Sequence, residues 1–132
     1  MNEEVKKLLD TACRLYEEAI ILVERDPVQA SEKLYKVVEN CIKALAILFN
    51  IEECEIARKE GTWWSKLLAK AAHKLSRLLN NDVIVRAWQA GFDLHVYGFH
   101  EEVYTQQEVK NIIPIIEKFL KLSLDIFKNY SR

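Results

Sequence analysis

The stretch that decides the fold is PVQASEKLYKVVENCIKALAILF, residues 27–49. Its apolar side chains recur at intervals of three and four residues, which places them on one face of an α-helix. They are Ala30, Leu34, Val37, Val38, Cys41, Leu45 and Leu48. Asp26 precedes the stretch as a favourable N-cap, and Pro27 suits the first helical position. The sequence therefore predicts a long amphipathic helix from Pro27 to Phe49.

The same apolar periodicity extends to both sides of this stretch. It predicts four more helices, Glu3–Arg25, Trp63–Leu79, Val83–Tyr97 and Thr105–Asn129. Residues 51–61 are charged and weakly periodic, so we predict a loop with one or two helical turns there. Short turns make neighbouring helices antiparallel. The predicted fold class is all-α, a single domain over residues 1–132. It is an up-down antiparallel bundle of about five helices, with a short additional segment between helices two and three.

Particular residues mark the predicted helix ends. Thr62 and Asp82 are expected to cap helices three and four, and Thr105 with Glu108 forms a capping box before the last helix. Asn50 and Gly98 are expected to end helices in the left-handed conformation. Pro114 lies inside the last helix, where it predicts a kink. Three pairs at helical spacing predict surface ion pairs: Glu32–Lys36, Glu39–Lys43 and Glu117–Lys121.

Composition limits the classes of protein to which this chain can belong. Half of the 132 residues are hydrophobic, and only 3 Gly and 2 Pro interrupt them. The net charge is −1, which does not favour nucleic-acid binding by the whole surface. Cys13, Cys41 and Cys54 show no metal-binding spacing and indicate reduced thiols. The sequence has no signal peptide and no apolar run of membrane-spanning length, so a cytoplasmic protein without a membrane segment is predicted.

The richest group of chemically versatile side chains lies in LHVYGFHEE, residues 94–102. It contains His95, Tyr97, His100 and Glu101 around Gly98. Imidazole changes its protonation near neutral pH and, beside a carboxylate, can bind a polar ligand or transfer protons. A helix end capped by Gly98 explains the same residues. The two histidines are five residues apart, unlike those of a zinc-binding H-E-x-x-H motif, so neither a metal nor another cofactor is predicted.

A basic row and two tryptophans form the second candidate region. Lys66, Lys70, Lys74 and Arg77 share one face of predicted helix three, without an acidic residue between Trp63 and Asn81. Such a row can hold phosphate or the RNA backbone, although lysine rows are commonly just a solvated face. Trp63 and Trp64 can stack on bases, but interface or core packing is the more common use. The very apolar fourth helix is expected to be central, or to be covered by the partner in a homodimer.

Two segments resemble known helical families. ASEKLYKVVENCIKALAILFN, residues 30–50, resembles the second helix of HEPN-like bundles. GTWWSKLLAKAA, residues 61–72, and WQAGFDLHVYGFHEE, residues 88–102, resemble the archaeal PaREP family of paralogous helical proteins. The resemblance implies a bundle built on a long antiparallel pair, often dimeric, in a superfamily named for nucleotide binding.

Many HEPN proteins cleave RNA with an Arg-x4–6-His motif, and the resemblance carries this role only where the motif matches. Here Arg86 and His95 are separated by eight residues, outside that spacing. The chain also lacks a G-x-S-x-G elbow and a glycine-rich phosphate loop, so a non-enzymatic protein is favoured. The site residues that the resemblance implies are His95, His100 and Glu101, with Tyr97 as a neighbour.

Three functions follow as hypotheses. The first is an uncharacterised HEPN-like binding or interaction module that holds nucleotide or RNA phosphate near residues 94–102, aided by the cations of helix three, as a homodimer. The second is a divergent HEPN-type ribonuclease or toxin with His95 or His100 as the acid or base. The third is an antitoxin-like or purely structural subunit that binds a partner protein.

Overall fold

The computed structural model describes residues 2–130, and they are helical apart from short connections. Six α-helices follow one another: α1 (Asn2–Leu22), α2 (Pro27–Leu48), α3 (Glu52–Glu60), α4 (Ser65–Leu79), α5 (Val83–Asp93) and α6 (Gln106–Tyr130). α5 continues directly into a π-helical segment, Leu94–His100, which we call the π segment. The predicted all-α class is confirmed. Within residues 2–130, no helix combines the length and the apolar character needed to cross a bilayer.

Helix α2 is the centre of the fold, and its apolar stripe is almost completely buried. Gly91 packs against Val38 and Gly98 against Ser31, so α5 and the π segment run antiparallel to α2. α1 pairs with α2 through the four-residue turn at 23–26. α6 begins beside the end of α1, where Gln106 bonds Glu24, and it ends where Tyr130 packs on Phe49. α1, α2, α5 and α6 thus form the main bundle.

The segment between the second and third predicted helices is more ordered than expected. Residues predicted as a loop with one or two helical turns form α3, nine residues long. Acidic residues occupy its first turn and Arg58 and Lys59 its last, which complements the helix dipole. Gly61 then ends α3 with a φ of 76°. α3 lies beyond the C-terminal end of α2 and packs against α4.

Three predicted helix ends are confirmed. The backbone N–H of Gln29 donates to Asp26 Oδ1 at 3.0 Å, which is the expected N-cap of α2. Thr105 and Glu108 form the reciprocal capping box, with N···O distances of 2.8 and 3.2 Å. Asn50 has a φ of 50° after α2, as predicted.

One predicted cap, Thr62, is wrong, and a second, Asp82, occupies the predicted N-cap position of α5 without a side-chain bond. Thr62 does not cap α4, because Trp63 and Trp64 stay outside the helix, Trp64 is extended, and α4 begins at Ser65. The carboxylate of Asp82 makes no capping bond to α5. Polar side chains before Asp82 take that role: the backbone N–H of Val83 donates to Asn81 Oδ1, and that of Val85 donates to Ser76 Oγ, both at 3.0 Å.

The prediction that Gly98 ends its helix in the left-handed conformation is also wrong. Among the glycines only Gly61 has positive φ, and the helix continues through Gly98 as far as His100. The left-handed residue is Glu102, with a φ of 56°. Gly98 is needed for a different reason, which is its close approach to Ser31. Pro114 lies inside α6, as expected from the sequence, and the kink at this position stays a prediction.

Candidate functional site

The π segment brings His95 and His100 into contact. In an α-helix, residues five apart point about 140° away from each other, since each residue turns the chain by about 100°. In the π segment the hydrogen bonds span five residues, as between Glu101 N and Val96 O at 2.8 Å, so positions five apart approach each other. His95 Nε2 lies 3.2 Å from His100 Nε2, and the ring centroids are 4.4 Å apart.

Glu32 completes this group from α2. Its Oε1 lies 2.8 Å from His95 Nδ1, and both side chains are mostly buried, with 21% and 25% of their surfaces exposed. The sequence had predicted a Glu32–Lys36 ion pair. Lys36 instead lies 3.4 Å from Glu39, whereas the predicted Glu39–Lys43 and Glu117–Lys121 pairs are present. We call Glu32, His95 and His100 the histidine corner.

The hydrogen bonds define the proton positions in the histidine corner. An ionised carboxylate only accepts hydrogen bonds. With Glu32 in this form, His95 Nδ1 carries a proton and donates a hydrogen bond to Glu32. When His95 is neutral, its Nε2 is therefore an acceptor, and His100 Nε2 donates to it. Nδ1 of the exposed His100 then holds a free lone pair. The corner can thus accept a hydrogen bond, or a proton, at His100 Nδ1.

Aromatic rings hold the His95 imidazole in this orientation. Tyr35 stacks on it with a centroid distance of 4.3 Å and an interplanar angle of 26°. Phe92 and Phe99 flank the same ring at 6.1 and 6.4 Å. Burial raises the pKa of the Tyr35 phenol, and the nearby Glu39 and Glu32 carboxylates raise it further. Tyr35 is consequently neutral at physiological pH and packs on His95 as an uncharged ring.

Ser31 and Gly98 set the distance between the π segment and α2. The Ser31 hydroxyl donates to the Pro27 carbonyl at 2.7 Å, which turns it back along its own helix. A Cβ added to Gly98 would lie 2.3 Å from Ser31 Oγ, so only glycine fits beside it. Since Glu32 adjoins Ser31 in the sequence, this contact also places the carboxylate opposite His95.

The other predicted residues of this region lie further from the imidazole pair. Glu101 is exposed, and among residues 2–130 no hydrogen bond joins its carboxylate to either histidine. Tyr97 is 47% exposed, and its ring packs against Tyr104 at 6.1 Å. Its carbonyl accepts hydrogen bonds from the N–H groups of Val103 and Tyr104. Tyr97 and Glu101 thus border the histidine corner without belonging to its hydrogen-bonded chain.

The histidine corner can form hydrogen bonds and transfer protons. Both ring nitrogens of His95 have hydrogen-bond partners. In the part of the chain that the structure describes, no three His, Cys, Asp or Glu side chains are grouped so as to hold a metal ion.

The basic row lies at the other end of α2 from the histidine corner. Lys74 pairs with the buried Glu53 of α3 at 2.9 Å, just beyond the C-terminal end of α2. Glu32 lies in the second turn of α2. At a rise of 1.5 Å per residue, it is about 24 Å along the helix axis from Leu48, the last residue of α2. The structure therefore does not bring Lys66, Lys70, Lys74 and Arg77 together with His95 and His100.

Of the two tryptophans predicted to stack or pack, one faces the protein interior. Trp63 is partly buried against the core, whereas Trp64 is 54% exposed; Trp88 of α5 is 6% exposed. α5 is covered by helices of its own chain, which accounts for its apolar composition.

Glu32 is the site residue that sequence reasoning missed. It lies 63 positions from His95 in the sequence. Lys36, four residues further along the predicted helix, also offers an ion-pair partner that accounts for a glutamate at this position. A signal was available in the segment itself. The two residues before Glu32, Ala30 and Ser31, have small side chains, which favour close packing of another helix at this point of α2. A charged residue next to such a contact is a candidate for a specific partner on the other helix.

Comparison with known proteins places the chain among archaeal relatives. The sequence model of the archaeal PaREP1/PaREP8 family matches residues 7–120. A protein from Sulfolobus solfataricus, known from its crystal structure, is similar with a TM-score of 0.79 and 36% sequence identity. That similarity covers 87% of this chain and 94% of the Sulfolobus chain. Among curated proteins, none matches the sequence. With the family match spanning most of its length, the chain belongs to the archaeal PaREP1/PaREP8 family.

Proposed function

We propose that this protein is an HEPN-like helical module that binds a nucleotide, free or within RNA, at the histidine corner. The observation that carries the proposal is the hydrogen-bonded chain from Glu32 through His95 to the exposed His100. It leaves an oriented imidazole at the surface with one nitrogen free to bond a ligand.

The surroundings of His100 favour the base rather than the phosphate of a nucleotide. Glu32 and Glu101 place negative charge next to the imidazoles, which opposes a phosphate group. Nδ1 of a neutral His100 accepts a hydrogen bond from an amino or imino N–H of a base. Phe99, 5.0 Å from His100, and the half-exposed Tyr97 offer aromatic faces beside it.

A thermal-shift experiment with nucleoside 5′-monophosphates tests this proposal. A ligand at 100 times its Kd stabilises the native state by about 2.7 kcal/mol, so a rise in Tm is expected for at least one base. His100→Gln should abolish the rise. Lys118→Gln is the control, because Lys118 is exposed on α6, outside both the histidine corner and helix α4. Absence of a shift with all four bases, or an equal loss in both variants, would contradict the proposal.

A second function, acid–base cleavage of RNA, is favoured by the same chain of hydrogen bonds. His100 Nδ1 would take the proton of a ribose 2′ hydroxyl while the proton on its Nε2 passes to His95 Nε2. The resulting His95 imidazolium lies 2.8 Å from Glu32, which stabilises its charge. The 2′ oxygen then bonds the adjacent phosphorus, the bond from phosphorus to the 5′ oxygen breaks, and the 5′ oxygen takes up the proton held on His100 Nδ1. This divergent ribonuclease would work without the Arg-x4–6-His spacing.

Cleavage of a labelled RNA distinguishes this second function from binding alone. General acid–base catalysis contributes about 10²–10⁴-fold, so His100→Ala should reduce the cleavage rate by a factor in that range. Glu32→Gln should reduce it less, because an amide still accepts from His95. Rates unchanged in His95→Ala and His100→Ala would exclude catalysis by the corner.

A homodimer is part of the proposed binding module, and an antitoxin-like or purely structural subunit that binds a partner protein is the alternative to it. Because α5 is covered by its own chain, self-association would have to use the exposed apolar side chains on other elements. The most exposed of these are Ile21, Leu78 and Val103, with 71%, 59% and 59% of their surfaces exposed. Light scattering during size-exclusion chromatography should give the mass of two chains, and a mass of 15.5 kDa would contradict the dimer.

A further inference from the structure

Helix α4 presents a row of basic side chains to solvent. Lys66, Lys70, His73 and Arg77 follow one another at intervals of four, three and four residues, and all four side chains are exposed. From Lys66 to Arg77 the row is about 16 Å long at 1.5 Å per residue. Over residues 2–130, no carboxylate lies within salt-bridge distance of Lys66, Lys70 or Arg77. The row is therefore available to an external anion.

Lys74, a further lysine of α4, is neutralised by Glu53 of α3. Glu53 is 6% exposed, and its Oε1 lies 2.9 Å from Lys74 Nζ. The pair is thus internally neutral and lies at the base of a groove between α3 and α4. Lys70, His73 and Arg77 line the same groove, and over residues 2–130 the charges of Lys70 and Arg77 have no carboxylate partner.

An exposed aromatic ring lies at one end of the row. Trp64 is 54% exposed, and together with Glu60, Ser65 and Lys66 it lines a surface depression. At the other end, Arg77 and His73 line a second depression with Asn80, Asn81 and Asp82, whose carboxylate lies 4.0 Å from Arg86. The surface therefore combines a stacking face, a line of cations and hydrogen-bonding amides in that order along α4.

We propose that this surface, which we call the α4 basic face (Trp64, Lys66, Lys70, His73 and Arg77), binds single-stranded RNA. Cations in a line track a phosphate backbone, and a π-face next to them stacks a base without regard to its identity. An acidic protein segment would use the cations but has no use for an exposed indole. The α4 basic face lies at the opposite end of α2 from the histidine corner, so this inference does not depend on the corner.

Fluorescence anisotropy with a labelled ten-residue oligouridine tests the proposal. Affinity should fall as salt is raised from 50 to 200 mM. The triple variant Lys66→Gln/Lys70→Gln/Arg77→Gln should lower the slope of log K against log salt by about 2, since each phosphate contact on a single strand contributes about 0.7. Trp64→Ala should weaken binding about tenfold and leave the slope unchanged.

The triple variant Lys118→Gln/Lys121→Gln/Lys128→Gln is the matched control. It removes the same charge from exposed positions of α6 and should leave the affinity unchanged. The α4 triple variant should keep the thermal shift with nucleoside 5′-monophosphates that His100→Gln abolishes, which separates this proposal from the histidine corner. No binding by the wild type at 50 mM salt, or an equal loss in the α6 variant, would overturn the proposal. Equal binding of polyglutamate, unaffected by Trp64→Ala, would overturn it in favour of an acidic protein partner.

Discussion

A Cβ atom built on Gly98 would lie 2.3 Å from Ser31 Oγ and 2.6 Å from Ser31 Cβ. Real Cβ atoms do not approach other atoms so closely, so α2 and the π segment can pack at their present distance only with glycine at position 98. Because the Ser31 atoms belong to a short side chain that bonds its own helix, they have little room to move.

Gly98→Ala should therefore lower the free energy of unfolding by about 1–3 kcal/mol, which is the range for overpacking a core contact. Urea denaturation measures this change. The double variant Ser31→Gly/Gly98→Ala should recover part of the loss, because it removes the opposing side chain. Gly61→Ala is a useful comparison: nothing lies within 4 Å of its added Cβ, so only the strain of a positive φ, about 1 kcal/mol, is expected.

Glu32 should determine the tautomer of His95. With the carboxylate present, His95 carries its proton on Nδ1 and bonds Glu32 at 2.8 Å. In Glu32→Ala that preference is lost, and the imidazole is free to carry its proton on Nε2. Long-range proton–nitrogen NMR spectra of the imidazoles report this change directly. Glu101→Ala is the control, and a His95 spectrum that changes equally in both variants would contradict the assigned orientation.

The stability of the fold should depend on the ion pair between the buried Glu53 and Lys74. Lys74→Met would leave an ionised carboxylate that is 8% exposed without its partner, at a cost of about 2 kcal/mol in the free energy of unfolding. The double variant Glu53→Leu/Lys74→Met should be close to the wild type in stability. Lys70→Met, on the same helix but outside that pair, should change stability by less than about 0.5 kcal/mol. A double variant as unstable as Lys74→Met alone would contradict the account.

The cysteines should be poor nucleophiles in the native protein. Burial raises the pKa of Cys41 to about 12 and that of Cys54 to about 11, and it also raises the pKa of Cys13. Since the thiolate is the reactive form, iodoacetamide at pH 8 should label the native chain slowly and the denatured chain at all three thiols. Cys41, which is completely buried, should be the slowest. Rapid native labelling of Cys41 would contradict this.

The same raised pKa values predict the direction of alkaline denaturation. A thiol or phenol that titrates higher in the folded chain than in the unfolded chain contributes stability below its unfolded pKa and loses it as pH rises. For Cys41 the loss runs from about pH 9 to about 12, and for Tyr16, whose pKa burial and a hydrogen bond to Glu117 raise to about 12, from about pH 10. Urea midpoints measured from pH 8 to 11 should therefore fall, and Cys41→Ala should lessen the fall.

Local chemistry explains which parts of the fold were predictable from the sequence. Asp26 and the Thr105–Glu108 box act on residues within three positions, so the sequence alone predicts them. The apolar stripes of the long helices have the same local character. For α3 the sequence predicts only one or two helical turns within a loop, because the segment lacks an apolar stripe, although its acidic first turn, basic last turn and Gly61 are helix-end signals.

The candidate site was only half predictable. His95 and His100 were found as chemically versatile residues, but the assumption of α-helical periodicity separated them, and the structure joins them through π-helical hydrogen bonds. Gly98 was interpreted as a cap because glycine after a helix is most often one, whereas here it makes room for Ser31. Glu32 and Lys74 find their partners 63 and 21 positions away, and such pairings follow from packing rather than from local pattern.

The π-helical winding has a consequence for how relatives of this chain are aligned. A π-helical turn holds one residue more than an α-helical turn, so histidines five apart meet here as histidines four apart would meet on an α-helix. We expect a relative that lacks one residue between its two histidines to wind this segment as an α-helix and still bring the imidazoles together. An alignment gap at this point would then record a change of winding, and two unlike spacings would describe the same pair.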